Sequence, residues 1–94
     1  MTVIGLLTLE IFLPDAQSLK DKRMVIRRIK DRLRARFNVA VSEVDHQELW
    51  QRSQVSVVSV GPDESYVNQL LQHALEETER STPECTVQGN VEIV

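Results

Sequence analysis

The sequence predicts a ferredoxin-like α+β fold: a split βαββαβ domain with a four-stranded antiparallel sheet and two helices on one of its faces. Three observations carry this expectation. Segments of strand and helix periodicity follow one another in the order β-α-β-β-α-β. The breaks between them fall at Pro14, Asn38, Gly61-Pro62 and Pro83. The 94 residues, 41% hydrophobic but only 4% aromatic, suit a single domain over 1–94 with a two-layer core of Val, Ile and Leu.

The first strand is expected over residues 2–13. Val3, Leu7, Leu9, Ile11 and Leu13 share one parity, and Ile4, Leu6 and Phe12 share the other, so both faces carry apolar groups. Ser18 is the N-cap candidate of a helix running to about Phe37, with Leu19, Ile26, Ile29, Leu33 and Phe37 on one stripe. Asn38 is expected to close that helix in the left-handed conformation. The second strand reads as Asn38–Asp45 and the third as Ser53–Val60, joined by the polar segment His46–Arg52. Gly61-Pro62-Asp63 starts a second helix to about Arg80, with Val67, Leu70, Leu71, Ala74 and Thr78 toward the core. The last strand reads as Thr86–Val94, with a bulge or turn expected at Gly89-Asn90.

A lone cysteine, Cys85, excludes an intrachain disulfide framework, and no basic leader precedes the early apolar run. Both features favour the cytoplasm. That run contains Thr8 and Glu10, stops at Pro14 and is too short to span a bilayer. No phosphate-binding glycine loop, nucleophile elbow or zinc spacing is present, so neither a cofactor nor a metal is expected.

Charge is the most informative feature. Nine bases lie between Lys20 and Arg36 against only Asp21 and Asp31, a local net charge of +7. The remainder holds Arg52 and Arg80 against twelve acids, a net charge of −10. On a helical wheel Lys20, Arg23, Arg27, Lys30 and Arg34 form one continuous ridge, about 21 Å long at the α-helical rise. Such a row can follow successive RNA phosphates. The opposing reading is a solvated face, partly consumed by Asp63, Glu64, Glu76, Glu77 and Glu79 of the second helix.

Two other segments stand out. Glu43–Gln51 gathers Asp45, His46 and Glu48 beside the only tryptophan, Trp50. It reads as acid–base or metal chemistry, or as a hairpin connection with Trp50 capping the core. The sheet face away from the helices would expose Ile4, Leu6 and Phe12 with either Val55/Val57 or Val58/Val60. An aliphatic open face of that kind points to a homo-oligomer, with Trp50 as an alternative lid. Cys85, with no base near it in sequence, reads as a small hydrophobe.

Three motifs, Ser18-Leu19-Lys20-Asp21-Lys22-Arg23, Arg36-Phe37-Asn38-Val39 and Val44-Asp45-His46-Gln47-Glu48-Leu49-Trp50-Gln51, resemble the YlxP-like family of small bacterial proteins of unknown function. The resemblance covers about residues 3–60 well, matches the second helix in pattern and the last strand loosely. It implies a ferredoxin-like fold and no assigned catalytic residues. Its members' gene neighbourhoods, beside transcription elongation, translation initiation and ribosome-binding factors, imply work on RNA or a ribosomal particle. The expected function is therefore a non-enzymatic module binding RNA or the ribosome through the first helix. The alternative is a protein-interaction module, as a homodimer or on an acidic partner.

Overall fold

The computed structural model describes residues 1–94. Its elements are β1 (Val3–Phe12), α1 (Leu19–Arg36), β2 (Ala40–Asp45), β3 (Arg52–Gly61), α2 (Glu64–Ser81) and β4 (Thr86–Ile93). The strands form one antiparallel sheet in the order β2-β3-β1-β4, with β1 and β3 in the middle. This is the ferredoxin-like arrangement expected from the sequence.

Side chains alternate across the sheet, so parity decides burial. Leu7, Leu9 and Ile11 of β1 and Val55 and Val57 of β3 face the helices and are buried. They meet Ile26, Ile29 and Leu33 of α1 and Val67, Leu71 and Ala74 of α2 in one core. The other parity leaves Val58 and Val60 on the open face.

Helix α1 begins where Ser18 Oγ accepts from the Asp21 N–H at 3.0 Å, while Asp21 Oδ2 accepts from the Gln17 N–H at 2.9 Å. These reciprocal bonds satisfy donors that a bare helix start leaves free. Asp63 caps α2 with a single bond, its Oδ1 accepting from the Tyr66 N–H at 2.8 Å.

Several expectations are corrected. Helix α1 is closed by Phe37 in extended conformation, not by a left-handed Asn38, and β2 begins at Ala40. The irregularity expected in β4 lies instead in β2, where a bulge at Val44 shifts the register between Glu43 and Asp45. Gly89 and Asn90 pair regularly with Leu9 and Thr8. Gly89 leaves room for a neighbour, since a Cβ there would come within 2.6 Å of Leu75 Cδ1. Trp50 neither caps nor lids the core: it is 52% exposed.

Glu77 of α2 is buried and receives Arg80 of its own helix and Arg32 and Arg36 of α1. The hydrogen bond from Arg80 comes first, and the charges of Arg36, Arg80 and Arg32 add to it. Together they outweigh burial and hold the Glu77 carboxyl below the usual carboxylate range. A carboxyl depressed in the folded state stabilises the fold above its unfolded value, and that contribution disappears as pH falls through the folded value. Thermal melts should therefore show Glu77→Gln less stable than the parent at pH 7, with the difference closing as the pH falls below the usual carboxylate range. A difference that is constant with pH would show that the carboxylate charge does not link the helices.

Candidate functional site

Lys22 departs from every expectation for a base on an exposed helix. Its side chain is 0% exposed. Nζ donates to the carbonyls of His46 at 2.6 Å, Gln47 at 3.1 Å and Arg52 at 3.2 Å, and pairs with Glu43 Oε2 at 3.0 Å. Glu43 Oε2 also accepts from Ser53 Oγ at 2.6 Å. The loop between β2 and β3 thus hangs on one ammonium. Sequence reasoning misses this role by placing Lys22 among the surface bases. The available signal is its helical spacing from Ile26 and Ile29, which puts it on the buried stripe rather than on either flank.

The loop folds tightly around that ammonium. His46 adopts φ 63, left-handed and uncommon for a residue with a side chain. Its N–H donates to Asp45 Oδ1 at 2.7 Å, and its carbonyl also accepts from the Leu49 N–H at 3.0 Å. Gln51 Nε2 donates to the carbonyls of Pro14 and Ala16, tying the β1–α1 connection to the same corner. Glu43 and Asp45 are thereby engaged in holding the loop, and no three His, Cys, Asp or Glu side chains converge as metal ligands. Burial first, and then the Glu84 charge, push the Cys85 thiol up to about 11, which keeps it protonated at neutral pH.

The bases of α1 divide into two flanks about the buried stripe. Arg28 pairs with Glu84 at 2.6 Å, and Arg32 and Arg36 pair with Glu77. These three lie on the flank facing α2 and the start of β4. On the other flank, Lys20, Arg23, Arg27 and Lys30 have no ion pair and no side-chain hydrogen bond within the chain. Arg34, the fifth residue of the ridge, bends toward β2, where Nη2 donates to the Val41 carbonyl at 2.9 Å, and lies 4.0 Å from Asp31. The acids of α2 therefore neutralise bases outside the ridge. Of the acids named as competitors, only Glu77 meets α1.

The open sheet face is not uniformly aliphatic. At one end Val60 stands beside Ile4, and Ala40, Val58, Leu6 and Glu92 form the next row. The middle rows are Ser42, Ser56, Thr8 and Asn90, then Gln54, Glu10 and Gln88. Phe12 stands at the far end beside Arg52 and Thr86. Eight residues of strand, about 27 Å, separate Phe12 from Ile4, so Ile4, Leu6 and Phe12 share a face but not a patch. The Arg52 guanidinium lies 5.2 Å from the centre of the Phe12 ring, within cation–π range. Phe12, Glu48, Leu49, Trp50, Gln51 and Arg52 line an open cavity of about 490 Å³ there.

Comparison with known proteins places the chain. Residues 4–89 match the family described as "Protein of unknown function (DUF503)". The chain belongs to that family. The uncharacterized protein YlxP of Bacillus subtilis (strain 168) is 37% identical over 73 residues, 78% of this chain and 79% of that protein. The C-terminal segment of the alpha subunit of aIF2 from Pyrococcus abyssi has a similar fold, with a TM-score of 0.55 at 19% identity. It aligns with 99% of this chain, which spans about half (49%) of that segment. A dimeric ferredoxin-like protein from an uncultured marine organism gives a TM-score of 0.51 at 12% identity, covering all of this chain and 96% of that one. Both structures are likenesses of fold. In this DUF503 chain the motifs Ser18–Arg23 and Val44–Gln51 meet in space, joined by Lys22.

Replacing Lys22 strands a carboxylate and removes a donor from three carbonyls. Lys22→Met should cost about 3–5 kcal/mol in urea unfolding, the range for breaking one side of a buried ion pair. Lys22→Met/Glu43→Gln should recover only part of that stability, because the carbonyls of His46, Gln47 and Arg52 still lack their donor. Full recovery would show that the Glu43 pair alone matters.

Proposed function

We propose that this chain is a non-enzymatic, cytoplasmic binding module that holds structured RNA, free or within a ribosomal particle, against the outer flank of α1. The observation that carries this reading is the set Lys20, Arg23, Arg27 and Lys30, four cations in a row without an acid to neutralise them. A protein of net charge −3 that keeps such a row unpaired, while pairing the bases on the opposite flank, presents a local field for a polyanion. Spacings of three and four residues keep the row on one side of a rigid helix, so successive phosphates can be met without ordering a loop. The cytoplasmic setting is supported by the lone free thiol of Cys85. No helix is long and apolar enough to cross a membrane.

A second reading has its own observation. Ile4, Leu6, Ala40, Val58 and Val60 make a small apolar patch at one end of the open face, which suits a protein partner or a second copy. RNase treatment separates the two: a protein-mediated complex survives it, whereas an RNA-bridged one dissolves.

Gel-shift titration with a ribosomal RNA stem-loop at several salt concentrations tests the first reading. Arg23→Glu/Arg27→Glu should weaken binding by at least about ten-fold and lower the salt slope by roughly one unit for each phosphate no longer neutralised. Arg28→Gln/Arg36→Gln, on the paired flank, should leave both nearly unchanged. Equal weakening by the two double substitutions, or no binding at low salt, would contradict it.

A further inference from the structure

We propose that Phe12, Trp50 and Arg52 form a stacking site for one unpaired RNA base, at the end of the open sheet face that carries the β2–β3 loop. The inference rests on the RNA reading above and names the part of the RNA that the far end of the sheet takes.

The chain has one tryptophan and two phenylalanines, and Trp50 and Phe12 lie together, 52% and 43% exposed, on the wall of a single cavity. Aromatic groups are normally spent on the core, and here they are turned outward at the end of the open face. Arg52 lies over the Phe12 ring, so Phe12 backs the guanidinium, and the flat surfaces offered to a base are that guanidinium and the Trp50 indole, both of which stack on nucleobases. Its volume of about 490 Å³ lies within the range of small-molecule sites.

Charge decides between a base and a phosphate. Glu48 stands in the cavity wall and would repel a phosphate, but its carboxylate accepts a hydrogen bond from an exocyclic amine of a base. The unpaired cations belong to α1, which packs on the opposite face of the sheet. Lys22 Nζ reaches from the first turns of α1, on the helix-covered face, to the carbonyl of Arg52, whose side chain lies over Phe12 on the open face, so the loop joins the start of α1 to the Phe12–Arg52 pair. Phosphate sites and base site are therefore bridged by that loop. The bonds of Lys22 and Gln51 to surrounding backbone hold it in place. A stem-loop or stem with a single-stranded end, its stem along α1 and its free end turning past residues 46–52, meets both.

Trp50 is its own reporter, since no other tryptophan contributes to the fluorescence. The probes are one RNA stem-loop with blunt ends and the same stem-loop with a short single-stranded extension, followed by both anisotropy of a labelled RNA and Trp50 emission. The extension should tighten binding by roughly 5- to 150-fold, the range implied for stacking of a base on an aromatic ring, and should quench Trp50. Phe12→Leu, which keeps an apolar strand residue, should remove most of that gain while binding of the blunt stem-loop is unchanged. If the extension adds no affinity and no quenching, yet Arg23→Glu/Arg27→Glu still abolishes binding of the blunt stem-loop, the stacking site is wrong and the α1 reading stands. If neither RNA binds at low salt, both fall.

Discussion

A lysine ammonium withdrawn from water is costly unless every donor finds an acceptor, and Lys22 is supplied with three carbonyls and a carboxylate. That cluster governs more than one residue. It draws the ends of the β2–β3 loop onto the start of α1, turns Glu43 inward across the bulged β2, and accompanies the left-handed turn at His46. With the loop backbone held from inside, its side chains at Glu48, Leu49 and Trp50 are left to solvent. The exposed aromatic corner is thus a consequence of a buried charge.

The same helix separates its charges by angle. One sector of α1 packs on the sheet, one flank makes ion pairs with Glu77 and Glu84, and the other flank keeps Lys20, Arg23, Arg27 and Lys30 free while Arg34 turns to β2. Exposed ion pairs are worth little individually. Three arginines on the buried Glu77 carboxylate are a different case, because two of them come from α1 and join it to α2. The bases of α1 therefore perform two tasks, helix docking on one side and presentation of a field on the other.

The fold is legible in the sequence because parity and helical spacing both point to one core: Leu7, Leu9 and Ile11 against Ile26, Ile29 and Leu33. The caps at Ser18 and Asp63 are equally readable, since a small polar residue before an apolar stripe has one obvious use. A helical wheel puts Lys20, Arg23, Arg27 and Lys30 on one ridge, but their freedom from α2 depends on which way the second helix leans, which no periodicity carries. Lys22 escapes sequence reasoning for a different reason. A lysine at a core position reads as a surface base until its long-range acceptors, 24 to 30 residues away for the carbonyls, are known. Glycine breaks strands, which makes Gly89 the natural place to expect a bulge. Yet Gly89 answers to the bulk of Leu75, and the break lies at Val44, directly after Glu43.

We propose that RNA meets this chain along the free flank of α1. Backbone amide shifts during titration with an RNA stem-loop test it most directly, because they locate binding residue by residue without altering a side chain. Perturbations should concentrate at Lys20, Arg23, Arg27 and Lys30 and at residues 46–52, with α2 and the Ile4–Val60 end of the sheet quiet. Shifts centred on Ile4, Leu6, Val58 and Val60, or spread along α2, would contradict it.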